Sequence, residues 1–419
     1  MRTVGFDEIA RLPAVGDNAA IVTRRVEAGT RVAFGGASVA IDWTILEGHR
    51  FAVVPIPAGA ELLSWGLPFG FALRDIAPGE YLHNARMLDA LRLREVGFAL
   101  PETPNFRDTA LEAYALDEVR FQPGRQVAPG QDDITPTFMG YDRGAPRGVG
   151  TRNYVVILAT TSRTGGWARA LEERLAGVAV GTPGIDGIVS VTHTEGGAGT
   201  PNNLDLLLRT LAGMVVHPNI GAVLIVDRGD EALTGAMLRG YMREHAYPLD
   251  EVPHRFVTLR AGFDADLERG EALVRGWLPV VADGRRTEQP LAALKLGLQC
   301  GGSDAFSGVS GNPLAAWAAR EVIRYGGAAN LAETDELIGA EAYVLRNVRD
   351  LVTARRFLEV VERFKERAAW HGHTAEGNPS GGNLYRGLYN IAIKSLGAAT
   401  KRDPAVRLDH VIDYGERML

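Results

Sequence analysis

Along the first hundred residues, short apolar runs alternate with turn residues. Ala19–Val26, Val32–Phe34, Val39–Ile41, Arg50–Pro55, Glu61–Ser64, Phe71–Arg74 and Tyr81–Leu82 are separated by Ala28-Gly29, Gly35-Gly36, Pro57-Ala58-Gly59 and Pro78-Gly79. Runs this short, so often punctuated by glycine and proline, predict β strands. Val26-Glu27-Ala28-Gly29, Ile56-Pro57-Ala58-Gly59 and Ile76-Ala77-Pro78-Gly79 repeat one small pattern. Such repetition predicts a compact barrel or β-clip over residues 1–100.

The pattern weakens over residues 101–150, where Pro, Gly and polar residues dominate. This stretch reads as a linker with one short helix near Leu111–Val119. From Thr151 the pattern changes again. Apolar strands at Tyr154–Ala159, Ile188–Val191, Ala222–Val226 and Phe256–Leu259 alternate with helical stretches at Gly166–Leu175, Asn203–Met214, Glu231–Glu244 and Gly262–Trp277. Strand-then-helix alternation predicts a parallel sheet with crossovers over residues 151–283. Residues 284–419 continue as α/β. Helices are expected at Leu314–Tyr325, Asp335–Arg346, Val352–Ala369 and Leu384–Ala399, with a strand at Ala328–Ala332. Arg320, Glu321 and Arg324 are expected to face outward. The predicted class is α/β: a small N-terminal β domain followed by a larger body with a mostly parallel sheet.

Composition narrows the function. The chain has 419 residues, 46% of them hydrophobic, and a formal net charge of −6. That balance argues against nucleic acid as a partner, which needs a basic face. No apolar run is long enough to span a membrane, and the N-terminus lacks the apolar core of a signal peptide. The single cysteine excludes an internal disulfide framework and fits a reducing cytoplasm. A homo-oligomer is expected.

Candidate chemistry gathers where strands end. Leu296–Asn312 reads LGLQCGGSDAFSGVSGN, an apolar run broken by Cys300-Gly301-Gly302-Ser303-Asp304 before Asn312-Pro313 opens a helix. Backbone N–H groups left free by such a turn suit a carboxylate or phosphate. A tight connection with an inert cysteine would give the same spacing. Ser162, His193, Glu195, Asp227 and Asp230 fall at the carboxyl ends of the predicted strands, where ligands of α/β sheets bind. Glu333 follows Ala328–Ala332, and Lys394 lies on the helix after the polar loop Asn378–Asn383. His49, His83 and the His371-Gly372-His373 pair offer further nitrogen atoms, though histidines at such places are more often structural or solvated.

The stretch Gln299–Pro313 resembles the central signature of the altronate/galactarate dehydratase family, which removes water from sugar acids. The likeness continues through Tyr325-Gly326-Gly327, Glu333-Thr334, Gly339-Ala340-Glu341, Gly377–Asn383 and Lys394–Gly397. Upstream it includes Gly140-Tyr141 and Val149–Asn153, and the first hundred residues resemble the family's SAF-type domain. The sequence departs from the family in several places. It lacks a cysteine after Gly196-Gly197, lacks another over Asp227 to Gly229, and lacks a glycine-rich segment and an acidic motif after Val411–Leu419.

The resemblance implies dehydration of an aldonate or aldarate to a 2-keto-3-deoxy acid, assisted by a divalent metal, Fe²⁺ before Mn²⁺ or Mg²⁺. Such a reaction needs a base for the proton beside the carboxylate, stabilisation of the enediolate, and an acid for the departing hydroxyl. Asp304, Glu333, His193 and Lys394 are the candidate catalytic residues. Gly301, Gly302, Ser303, Asn312, Asn378 and Ser380 are candidates for substrate binding, and Cys300, His49, His83 and Glu195 for the metal. Cys300, Asp304, His193 and Glu333 are expected around one cleft. Two alternatives stay open: a sugar-acid-binding relative without catalysis, and a lyase expelling another group, such as sulfite, from a hydroxy acid.

Overall fold

A computed structural model of the chain describes residues 3–130, 135–197, 199–332 and 337–418. They form two compact units. One comprises Met1–Gly130, Lys295–Arg324 and Ala328–Val411, and the other Gln131–Leu294, Tyr325–Gly327 and Ile412–Leu419.

The first unit begins with the expected short strands. Ala10–Arg11, Ala19–Val22, Arg50–Ala52 and Tyr81–Leu82 form an antiparallel sheet in that order. Thr3–Gly5, Arg31–Phe34 and Ala37–Ala40 form a second, and Phe106–Asp108, Leu67–Ala72 and Glu61–Ser64 a third. The repeated turn pattern is physical. Gly29, Gly59 and Gly79 all have positive φ (79°, 79° and 91°), and each donates its N–H at 2.8 Å across the fold, to Ile41, Ala72 and Ala52. A fourth turn of the same kind was not recognised in the sequence: Ile45-Leu46-Glu47-Gly48, with Gly48 at φ +85° and its N–H 2.9 Å from the Val22 carbonyl.

One continuous core joins this β region to later parts of the chain. Phe51, Phe69 and Phe106 pack in the same cluster as Leu337, Tyr343, Phe357, Tyr389 and Leu396. Segment 109–130 carries Leu111, Leu116 and Phe121 onto that core as irregular chain with a turn at 118–120. The helix expected at Leu111–Val119 is absent, because the apolar side chains there are used one by one against the core instead of along a helical stripe. The helix expected over Asp335–Arg346 reduces, in its described part, to one turn at Glu341–Val344. That expected over Leu384–Ala399 is split into Gly381–Tyr385 and Ile391–Ala399. Gly387, at φ +82°, turns the chain between them. Arg320 and Arg324 do not simply face outward: Arg320 pairs with Glu321 and Asp403, and Arg324 with Glu321.

The second unit is a doubly wound sheet of four parallel strands, in the order Gly187–Val191, Tyr154–Ala159, Ile220–Asp227 and His254–Thr258. Alternate residues of the Tyr154–Ala159 strand face opposite layers. Val155, Ile157 and Ala159 pack with Trp167, Leu171, Val274 and Leu278 of helices Ser162–Val180 and Phe263–Ala282. Val156 and Leu158 pack with Leu207, Leu211, Leu238 and Met242 of helices Leu204–Val215 and Gly235–Glu244. Burial on both faces explains why the strand reads as an unbroken apolar run. Arg147 fixes the chain ahead of this sheet, donating to the carbonyls of Val216, His217, Ile220 and Glu251. Asn153 donates to Gly184 and Val281 and accepts from Arg143. No helix among the described residues is long and apolar enough to cross a membrane.

Candidate functional site

In the first unit, three segments distant in sequence meet: the turn at Leu46–Arg50, the Cys300–Asp304 turn, and the helix break at Tyr385–Asn390. The contacts are mostly main-chain. His49 Nε2 lies 2.8 Å from the Tyr385 carbonyl, and Ala305 N donates to the Arg386 carbonyl at 3.1 Å. A Cβ on Gly48 would stand 2.6 Å from that same Arg386 oxygen, and one on Gly387 would strike the Gly48 carbonyl. Both glycines also hold positive φ, so two requirements coincide at each position.

Arg50 completes the joint. Its side chain is fully buried; Nη1 donates to the Gly387 carbonyl at 2.9 Å, and its N–H donates to the Tyr389 hydroxyl at 2.8 Å. Its guanidinium lies over the rings of Phe69 and Tyr389, at 5.7 and 5.4 Å. Burial lowers it to about 10. Burial likewise pushes the Tyr389 and Tyr81 hydroxyls up.

These contacts surround a cavity of about 250 Å³ lined by Arg25, Glu47, Gly48, Asp304, Tyr385 and Arg386. Leu46 and Phe306 supply its apolar walls. Asp304 was expected here; Arg25, Glu47 and Arg386 were missed. The repeated turn pattern could have flagged Glu47, since Ile45–Gly48 is its fourth copy. Arg25 and Arg386 carry no comparable signal.

The other candidates in this unit connect to the same cluster. Asp304 Oδ1 accepts from Ser307 N at 2.8 Å and Oδ2 from Ser307 Oγ at 3.0 Å, so the carboxylate also caps the turn that follows. Ser303 Oγ donates to Cys300 Sγ at 3.3 Å, and Asn383 Nδ2 reaches the Ser303 carbonyl at 2.8 Å. Gly301 and Gly302 are exposed, with no described atom within 4 Å of where a Cβ would stand. Asn312 Nδ2 donates to the Gly397 carbonyl at 2.7 Å. Lys394 Nζ donates to Asn378 Oδ1 at 3.2 Å, and Ser380 Oγ to Asn383 Oδ1 at 2.9 Å.

His49 and His83 are both buried. The Tyr385 carbonyl requires His49 to carry its proton on Nε2, leaving Nδ1 to accept from the Tyr81 hydroxyl at 2.6 Å. Burial, reinforced by the Arg50 charge, lowers His49 to about 4. Burial, then Arg74, lowers His83 to about 4, and its Nδ1 has no hydrogen-bond partner.

His193 and Glu195 belong to the second unit. His193 Nε2 meets the Thr160 carbonyl at 3.1 Å, and Nδ1 accepts from Glu195 N at 3.2 Å. At the neighbouring strand ends, Glu231 fills the crevice: its carboxylate accepts from Thr161 Oγ1 at 2.6 Å, Arg228 N at 2.9 Å and Thr160 Oγ1 at 3.4 Å. Glu333 lies outside the described residues. Among the described residues no three His, Cys, Asp or Glu side chains converge to hold a metal, and both ring nitrogens of His49 are committed. The described residues by themselves form no metal cluster, and the proton steps proposed for this site use the chain's own side chains.

Comparison with known proteins agrees with this architecture. Residues 14–89 match the altronate/galactarate dehydratase SAF domain. Residues 140–282 match the second domain of D-galactarate dehydratase/altronate hydrolase, and residues 291–419 the C-terminal region of D-galactarate/altronate dehydratase. The chain is 31% identical to an altronate dehydratase of Escherichia coli over 96% of its own length and 75% of the relative's. It is 27% identical to the galactarate dehydratase (L-threo-forming) of the same organism, over 96% and 73%. A (2R)-sulfolactate sulfo-lyase subunit beta of Chromohalobacter salexigens is 27% identical over 67% of this chain and 68% of the relative. The chain therefore belongs to the altronate/galactarate dehydratase family and is a hydro-lyase of that type.

Proposed function

We propose that the protein converts an aldonate or aldarate to a 2-keto-3-deoxy acid at the cavity beside Asp304. The observation that carries this reading is the meeting of the Cys300–Asp304 turn with the Leu46–Arg50 turn around a space of about 250 Å³. That is below the ~300–1,000 Å³ usual for drug-sized ligands and suits a small polar molecule. Two carboxylates and two arginines line it, groups that acid–base chemistry on a polyhydroxy acid can use.

In the proposed reaction the C2 proton leaves to a base and the C3 hydroxyl departs as water after protonation. The resulting enol ketonises by gaining a proton at C3. Asp304 is proposed to move a proton, with the guanidinium of Arg386 balancing charge that develops on the substrate carboxylate. Glu333 and Lys394 stay in the proposal as further proton carriers, to be tested by substitution, and His193 is to be tested likewise within its own unit. The Fe²⁺, Mn²⁺ or Mg²⁺ dependence that the family resemblance implies enters as a separate arm.

The test is an assay of 2-keto product from a panel of aldonates, aldarates and sulfolactate, with and without each cation. Keto acid from a sugar acid supports the reading. Sulfite release from sulfolactate alone, or binding without turnover of any acid, refutes it in favour of the sulfo-lyase or binding-protein alternative.

A further inference from the structure

This inference rests on the cavity beside Asp304 being the substrate site. Its four charged side chains are unevenly compensated. Arg25 is satisfied within its own loop: Nε lies 2.8 Å from Glu27 Oε1, Nη2 donates to Glu27 Oε2 at 3.3 Å, and the guanidinium lies 5.1 Å over the Phe98 ring. Thr44 Oγ1 also donates to Glu27 Oε2, which holds the pair in place.

Arg386 differs. Its main chain is fixed on both sides, N–H to the Asn383 carbonyl at 3.0 Å and carbonyl to Ala305 N at 3.1 Å. Its side chain is exposed, and among the described residues it meets no carboxylate. The two acidic groups of the lining are not offset by cations of their own. Asp304 is held by the N–H and hydroxyl of Ser307, and Glu47 is exposed without a described basic partner. With Arg25 paired to Glu27, the lining holds one arginine without a described carboxylate partner, Arg386, and two carboxylates, Glu47 and Asp304.

We infer that this cavity selects a sugar acid with one carboxylate over the same sugar with two, and that Arg386 and Glu47 set the choice. Arg386 takes the single carboxylate by charge-assisted hydrogen bonds. Glu47 and Asp304 accept from the substrate's hydroxyl groups and repel a carboxylate at the other end.

The experiment is calorimetric binding to the full chain, using stereochemically matched pairs: altronate with altrarate and galactonate with galactarate, and the neutral alditols as charge-free controls. The parent protein is expected to bind the mono-acid of at least one pair about tenfold or more tightly than its diacid. Arg386→Gln is expected to weaken the mono-acid by about tenfold or more, and Arg386→Lys to restore most of that loss. Glu47→Gln is expected to narrow the gap between mono-acid and diacid. Tighter binding of the diacids by the parent, unchanged affinity in Arg386→Gln, or no binding of any acid overturns the inference. Binding is read without turnover, so the two failures separate. A protein that selects mono-acids but never dehydrates them upholds this inference and sinks the proposed activity. Dehydration with Arg386→Gln at parental affinity does the reverse.

Discussion

Gly48→Ala probes the joint that shapes the cavity. Gly48 sits at φ +85°, and an added Cβ would stand 2.6 Å from the Arg386 carbonyl oxygen, a main-chain atom that is itself bonded to Ala305 N. The left-handed backbone alone costs an alanine roughly 1–2 kcal/mol. Forcing a methyl group against fixed main chain adds about 1–3 kcal/mol. Gly36 separates the two contributions. It has nearly the same backbone, φ +81°, but nothing lies within 4 Å of its Cβ position. Gly36→Ala should therefore show the backbone cost only. For a unit of this size about 2–4 °C is lost per kcal/mol, so Gly48→Ala should melt about 2–12 °C below Gly36→Ala by calorimetry. It should also lose affinity for sugar acids, because Gly48 lines the cavity. Equal melting temperatures for the two variants would refute the account of the joint.

Other consequences can be checked separately. His49 and His83 are held near 4, against 6.5 for the free side chain. The unfolded chain then binds more protons between those values, so stability is complete above about pH 6.5 and declines toward pH 4, by up to about 1.4 kcal/mol per pH unit for each histidine. Urea unfolding at several pH values measures the slope, and His49→Gln with His83→Gln should flatten it; a parent protein with no slope there contradicts the buried neutral state. Asp304→Asn should cut turnover by about 10²-fold, whereas Asp304→Ala should also lose the cap on Ser307, worth about 1 kcal/mol of stability by urea titration. Glu231→Ala leaves two donors, Thr161 Oγ1 and Arg228 N, without an acceptor and should cost about 1–3 kcal/mol, seen as faster amide exchange in strands Tyr154–Ala159 and Ile220–Asp227; unchanged exchange would mean that water replaces the carboxylate.

The parts of the fold that read directly from sequence are those whose pattern has a local cause. The Gly29, Gly59 and Gly79 turns require positive φ, and the sequence supplies glycine at a fixed place after an apolar residue. The parallel strands are buried on both faces, so Tyr154–Ala159 has no polar position to interrupt it. What could not be read has a non-local cause. Leu111, Leu116 and Phe121 are spaced to meet a core built mainly by other segments, which no local helix or strand period expresses. The break at Tyr385–Asn390 exists because its carbonyls serve His49, Arg50 and Ala305; within the segment only Gly387 hints at it. The site was half legible for the same reason. The Cys300–Asp304 turn announces itself by composition. Arg25 and Arg386 are ordinary surface arginines until the two turns meet.

Several motifs that marked the family have structural work among the described residues. Asn153 holds two main-chain carbonyls ahead of the parallel sheet. His49, placed in the sequence as a metal ligand, spends both ring nitrogens joining Tyr81 to Tyr385. A residue of such a motif can therefore build the joint that shapes a cavity instead of the chemistry inside it.

The central claim is that the cavity beside Asp304 removes water from a sugar acid by taking the C2 proton. The most direct measurement is proton NMR of an aldonate incubated with the protein in D₂O, with Fe²⁺, Mn²⁺, Mg²⁺ or no added cation. A 2-keto-3-deoxy acid carrying one solvent deuterium at C3 is expected, formed at least ~10²-fold more slowly by Asp304→Asn. Unchanged substrate under every cation condition, or an equal rate with Asp304→Asn, would contradict it.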